Sequence, residues 1–244
     1  MTIYAIGDIH GQLDLLRAAH DRVAADRARE GTEAAALVHV GDLVDRGPDS
    51  RGVVALMHDL VMQDARVRVL KGNHDNMFVL FAQDDPREDP HLRQDLSWLH
   101  PRLGGQDTLA SYGIDPTLPL AALHRETLAT VPPAHIAFLD GLPLSFAQDE
   151  ALVVHAGIRP GVPLHAQTPQ DLYWIRDGFL DDTTDHGALV VHGHTTVEQV
   201  ELHPNRLALD TGAAYGGPLS AVAIEGRDVY LLTDAGRAPV RPQR

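Results

Sequence analysis

Three apolar runs near the start of the chain end in the same way. Ile3-Tyr4-Ala5-Ile6, Ala36-Leu37-Val38-His39-Val40 and Val67-Arg68-Val69-Leu70 are each strand-sized, and each gives way to a glycine and then a polar residue: Gly7-Asp8, Gly41-Asp42 and, after Lys71, Gly72-Asn73. Between them the apolar spacing becomes helical, through Leu13, Leu16, His20 and Val23 and again through Val53, Leu56, Met57 and Leu60. The order βαβαβ demands parallel strands with right-handed crossovers. Ligands collect beyond the carboxyl ends of such strands, where these glycines and polar residues stand.

From about 82 to 150 the pattern changes to an acidic, proline-bearing stretch, Asp84 to Pro90, followed by helical segments near 91–111 and 120–130. This reads as a helical insertion or lid within a single α/β domain spanning 1–244. Strands return at Leu152–Val154, Leu189–Val191, Leu207–Leu209, Ala221–Ile224 and Val229–Leu231, and their close spacing predicts a second, mixed or antiparallel sheet. The tail, 238–244, reads as loose.

The chain has no cysteine, which excludes disulfides, thiolate nucleophiles and zinc-thiolate sites. A net charge of −14 argues against broad contact with a nucleic-acid backbone, although metal ions can reverse the sign locally for a small anion. No apolar stretch approaches the roughly 18 residues that span a bilayer. Met1-Thr2 leads straight into the first strand and leaves no room for a signal peptide, so the expected location is cytoplasmic, away from membranes.

Polar clusters follow the apolar runs along the chain: Asp8-Ile9-His10, Asp42-Leu43-Val44-Asp45-Arg46-Gly47, Asn73-His74-Asp75, His155-Ala156-Gly157, His192-Gly193-His194-Thr195 and Asp210-Thr211-Gly212. Carboxylate, imidazole and carboxamide without sulfur favour Mn²⁺, Fe or Zn²⁺. If the strands lie side by side, a carboxylate can bridge two ions about 3.5–4 Å apart, an arrangement suited to phosphoryl displacement.

In order and in kind, GDIHG (7–11), GDLVDRG (41–47), GNHD (72–75), HAG (155–157), HGHT (192–195) and DTG (210–212) resemble the motifs of the calcineurin-like metallophosphoesterases. Within that family the likeness is to the bacterial and phage type of the serine/threonine phosphoprotein phosphatase branch, related to the symmetrical diadenosine tetraphosphate hydrolases. The resemblance implies two packed mixed β-sheets flanked by helices, and a dinuclear centre of two divalent ions. By that resemblance Asp8 and His10 hold the first metal, Asp42 bridges, and Asn73, His155 and His194 complete the second site. His74 is then the general acid, oriented by Asp45, and Arg46 holds phosphate oxygens. Trp174-Ile175-Arg176 resembles the stretch that carries a second phosphate-binding arginine, which nominates Arg176.

Each residue also has a plainer reading. Asp8 at a strand-to-helix junction suits a helix cap, but a cap does not explain His10. Asp45 and Arg46 suit a turn ion pair, His74 a core histidine and Arg159 a surface residue, while His192 and Asp210 read as structural. The implied activity is hydrolysis of phosphomonoesters, such as protein phosphoserine, phosphothreonine or phosphotyrosine, by direct attack of a metal-bound hydroxide. Asp75 and Gly216-Gly217 instead resemble the symmetrical diadenosine tetraphosphate hydrolases, and that symmetrical hydrolysis is the alternative. A non-catalytic, metal-stabilised module that binds a phosphorylated partner is the third reading.

Overall fold

β1 (Thr2–Ile6) is buried on both faces, which is why its sequence is continuously apolar. The computed structural model describes residues 1–243. Ile3 and Ala5 turn toward a second sheet, and Tyr4 and Ile6 turn toward helices. β1 pairs in parallel with β2 (Ala36–His39), which pairs in parallel with β3 (Val67–Val69). The crossovers are α1 (Leu13–Glu30) and α2 (Ser50–Gln63), as the alternating period requires. α3 (Asn73–Phe81) follows β3 almost at once, so the residues after the third strand become the first turn of a helix.

The insertion is less helical at its start than its sequence predicts. Residues 82–104 run as turns, and the first helix there is α4 (Gly105–Ser111). Pro86, Pro90 and Pro101 withhold backbone donors, and the Asp89 carboxylate accepts from His91 N at 2.9 Å and Asn76 Nδ2 at 2.7 Å, fixing a turn. α5 (Leu120–Thr130) falls where the spacing places it, and α6 (Pro133–Asp140) is an additional helix.

The second sheet contains β4 (Ser145–Gln148), β5 (Ala151–Val154), β6 (Leu189–His192), β7 (Glu201–Leu202) and β8 (Arg206–Ala208), in the order β4-β5-β6-β8-β7. β5, β6 and β8 run parallel, and α7 (Pro169–Trp174) lies between β5 and β6 in the chain. The last strands do not join this sheet as expected. β9 (Ala221–Glu225), β10 (Asp228–Thr233) and β11 (Gly236–Pro239) extend the first sheet, β9 pairing antiparallel to β1 and each later strand antiparallel to the one before, giving β11-β10-β9-β1-β2-β3. The β9–β10 turn at Gly226 announces a hairpin, but nothing local says which sheet the hairpin joins.

The tail is also held more firmly than expected. Residues up to Pro239 lie in β11, Val240 N donates to Val229 O at 2.8 Å, and Gln243 N donates to Leu202 O at 2.8 Å. Arg244 lies outside the described residues. The two sheets pack through Ile3, Val38, Val40, Val153, Val191 and Leu209, so their carboxyl ends open on a shared edge.

Candidate active site

That shared edge gathers the predicted residues. Asp8 and His10 follow β1, Asp42 follows β2, Asn73 and His74 open α3, His155 follows β5 and His194 follows β6. None of these is more than 7% exposed. Ligand atoms of His10, Asp42 and His74 lie within 4.8 Å of one another, as do those of Asp42, His155 and His194. Asp42 belongs to both groups, the position required of a bridging carboxylate. The first group contains His74, expected as an acid, and not Asp8, expected as a ligand.

Backbone strain is concentrated at the same place. Among the described residues, the non-glycine positions with positive φ are His10 (46°), Asp42 (50°), Asp45 (75°), Arg46 (66°), His194 (64°) and Asp149 (52°). All but Asp149 were singled out from sequence as site residues. A left-handed L-residue costs about 1–2 kcal/mol, so the surrounding bonds must hold each in place. For Asp42 they are visible: its carbonyl accepts from Ile9 N at 3.2 Å and His10 N at 2.8 Å.

The donor set fits divalent cations. Asp8 Oδ2 accepts from His194 N at 2.9 Å, but its Oδ1 is buried without a partner, as is His194 Nε2. A side chain at Gly193 would collide with Asp8 Oδ1, and one at Gly72 with Asp42 Oδ1, so backbone passes where only glycine leaves room. His155 Nδ1 donates to Val40 O at 3.0 Å, which turns Nε2 toward Asn73 Oδ1 at 3.1 Å and Asp42 Oδ1 at 3.4 Å. Either a proton on Nε2 or a cation must lie between these three atoms, and the imidazole can ligate once it gives up that proton.

The electrostatics agree. Burial pushes Asp8 well above the ordinary carboxylate range, with Asp210 adding to it, and the opposing charge of His155 does not make up the difference. Burial also opposes ionisation of Asp42, yet His155, His74 and His10 together hold it well below that range. Burial pulls His10 down to about 3 and His194 well down, which leaves both imidazoles neutral and able to ligate. His155 differs: burial is overcome by Asp42, Asp8 and Asp75, which hold it up at about 9, so its proton stands where a metal ion would meet the same carboxylates and must leave before Nε2 can ligate.

Beside the ligands, His74 Nδ1 donates to Asp45 Oδ2 at 2.6 Å. The tautomer follows from Arg46, whose Nη2 donates to His74 Nε2 at 2.9 Å and whose Nη1 donates to His10 Nε2 at 2.6 Å. A guanidinium has no acceptor, so each Nε2 presents a lone pair. Burial pulls His74 down to about 3, with Arg46 adding to it against Asp42. Asp45 is pushed up by burial, opposed by donors from Thr108 and Trp98 that its sequence surroundings do not announce. Those two residues lie 63 and 53 positions away along the chain, and no local pattern links them to Asp45.

The plainer readings separate. Asp8 is not a cap, since α1 starts at Leu13 after Gln12 without a side-chain cap. Asp75 is a backbone organiser: its oxygens accept from Leu43 N at 2.8 Å and Gly72 N at 2.9 Å. His192 turns Nδ1 to Gly193 O and packs its ring edge-on against Phe179, away from the ligands. Asp210 accepts from Gly212 N and Thr196 Oγ1, a structural turn beside the site. Arg159 is paired with Asp171 at 2.6 Å, and Arg176 Nη2 donates to His194 O at 3.3 Å. Both line a cavity of about 790 Å³ that opens beside His74 and Arg46.

The calcineurin-like phosphoesterase family matches residues 1–219. The chain belongs to that family. The symmetrical bis(5'-nucleosyl)-tetraphosphatase of Nitrosospira multiformis is 27% identical, covering 94% of this chain and 95% of the relative. The asymmetrical bis(5'-nucleosyl)-tetraphosphatase PrpE of Halalkalibacterium halodurans is 26% identical, covering 98% and 96%. A solved structure described as a candidate diadenosine tetraphosphatase superposes with a TM-score of 0.62 at 23% identity, covering 98% of this chain and 94% of the other. The superposition bears out the expected fold of two packed mixed sheets. The family makes this chain a metal-dependent phosphoester hydrolase. Both relatives are named as bis(5'-nucleosyl)-tetraphosphatases, and the first carries the symmetrical activity that is the alternative to phosphomonoester hydrolysis.

Proposed function

We propose that this phosphoesterase hydrolyses the phosphoanhydride chain of dinucleoside polyphosphates, with diadenosine tetraphosphate as the substrate to test first. The cavity carries the reading. In a chain of net charge −14, Arg46, Arg93, Arg102, Arg159 and Arg176 all line it, with Trp174 and Tyr215 beside them. One phosphate needs one or two such forks, whereas a chain of four phosphates uses several. Tyr215 is 68% exposed and lies over Arg46, its ring centroid 5.3 Å from the guanidinium carbon, a surface on which a base can stack.

Asp8, His10 and Asp42 would hold one divalent ion, and Asp42, Asn73, His155 and His194 a second, with Mn²⁺ suited to this oxygen and nitrogen donor set. Two such ions, when bound, supply positive charge against phosphate oxygens and lower the pKa of water at the site. Arg46 releases the imidazoles and donates its fork to the phosphate, the stronger acceptor. Water adds to phosphorus as the P–O bond to the departing nucleotide breaks, and one water proton passes to solvent; His74, whose Nε2 takes up a proton once Arg46 has left it, gives that proton to the departing oxygen. The Asp45 carboxylate offsets the burial that disfavours the imidazolium.

A second reading, hydrolysis of phosphomonoesters including those of proteins, is favoured by the 2.6 Å contact between His74 and Asp45. A proton donor matters most when the departing group is an alkoxide. The test is steady-state hydrolysis by metal-stripped protein reloaded with Mn²⁺, comparing diadenosine tetraphosphate with phosphoserine, phosphothreonine and phosphotyrosine peptides. A higher kcat/KM on the dinucleotide is expected, with two ADP marking symmetrical cleavage and ATP plus AMP asymmetrical cleavage. Preference for a phosphopeptide would overturn the first reading in favour of the second.

A further inference from the structure

Each oxygen of the Asp45 carboxylate meets a donor from the insertion. Trp98 Nε1 donates to Oδ2 at 2.9 Å, the oxygen that also takes the His74 bond, and Thr108 Oγ1 donates to Oδ1 at 2.7 Å. Thr108 Oγ1 in turn accepts from Asp45 N at 2.8 Å, holding a residue whose φ is 75°. All three residues are buried. The segment between them grips the next residue as well: Gly104 O accepts from Arg46 N at 3.4 Å, and a side chain at Gly104 would collide with that nitrogen. The Trp98 ring stacks on Phe78 of α3, the helix that His74 opens, with centroids 5.3 Å apart and planes 18° from parallel.

We propose that Trp98 and Thr108 are positioning residues, which lock the Asp45 carboxylate onto His74 Nδ1 so that His74 Nε2 faces the substrate. The consequence for turnover rests on the proton-donor role given to His74 above, whereas the lock itself does not. Two donors on a carboxylate that has a third bond to make leave it little freedom to rotate, and an unlocked Asp45 lets the imidazole turn. Packing alone would need the Trp98 ring but not its N–H.

That difference is testable. Trp98→Phe keeps the ring and removes the donor, Thr108→Val keeps the shape and removes the hydroxyl, and Thr108→Ser keeps the hydroxyl. In Zn²⁺-loaded protein the proton between His74 and Asp45 is observed as a far-downfield ¹H resonance, assigned by its loss in His74→Asn. Kinetics use the Mn²⁺-loaded protein with diadenosine tetraphosphate and phenyl phosphate. The expected result is that Trp98→Phe and Thr108→Val shift or broaden this resonance and lower kcat by about 10- to 100-fold with KM little changed. Thr108→Ser should restore both, and the Thr108 pair decides if Trp98→Phe does not fold. A wild-type resonance in both donor-deleted variants would overturn the proposal. Full kcat in His74→Asn would overturn the proton-donor reading instead, and the resonance would still decide whether Trp98 and Thr108 hold Asp45.

Discussion

Asp42 is the residue on which both candidate metal groups turn. Its carboxylate lies 3.5 Å from His10 Nε2 and 3.4 Å from His155 Nε2, and accepts from His74 N at 3.0 Å. Asparagine tolerates the left-handed backbone found there, so Asp42→Asn removes charge without forcing the chain to refold. The expected outcome is a fall in Mn²⁺ affinity of at least about 10-fold, the scale already typical of a partner outside the ligand shell. Equilibrium dialysis with metal analysis measures it, and unchanged stoichiometry and affinity would remove Asp42 from the bridge. Residues of this kind are legible in sequence because each lies just beyond a strand end with a glycine within a few positions. Trp98 and Thr108 are not, since they reach Asp45 from the insertion with no periodicity linking the three.

At the scale of elements, α1 meets the end of β2 through a pair of histidines. His39 Nδ1 donates to Arg68 O at 3.1 Å, so its Nε2 accepts from His20 Nε2 at 2.8 Å. Burial pulls His39 down to about 3, with His20 adding to it. Burial pulls His20 down to about 4, opposed by Asp21 and assisted by Arg27. Both are neutral in the fold and titrate near pH 6.5 once unfolded, so between those limits the unfolded chain binds more protons. Their contribution is complete above about pH 6.5 and is lost as the pH falls toward the folded values, at up to about 1.4 kcal/mol per pH unit for each group. His20→Gln retains a donor to His39 and removes one titration. Its melting temperature should therefore fall less than that of the parent between pH 6.5 and pH 4. Equal falls would show that the pair is not coupled to folding. The α1–β2 contact itself follows from the helical spacing that includes His20. The placement of β9 to β11 does not, because strand pairing across the whole chain length is absent from any local pattern.

At the scale of the whole molecule, charge is unevenly spread: the chain carries −14, yet five arginines line the cavity beside the candidate ligands. The insertion supplies Arg93 and Arg102, whose positions in the cavity depend on turns that the sequence read as helix. Arg93 is paired with Asp95 at 2.6 Å, which makes Arg102 the better probe of what the insertion adds. If the cavity takes a polyphosphate, Arg102 meets phosphates beyond the one that reacts, whereas Arg46 serves the reacting one. Arg102→Ala should then raise KM for diadenosine tetraphosphate by about 5-fold at low salt, the scale of one exposed ion pair. Its effect on p-nitrophenyl phosphate, which has a single phosphate, should be much smaller. Raising the salt to about 1 M shortens the screening length to about 3 Å and should erase most of the difference. Equal KM changes on both substrates would instead tie Arg102 to the architecture of the site. The insertion would then not select for length of the phosphate chain, and selectivity would rest with Arg46, Arg176 and the aromatic pair.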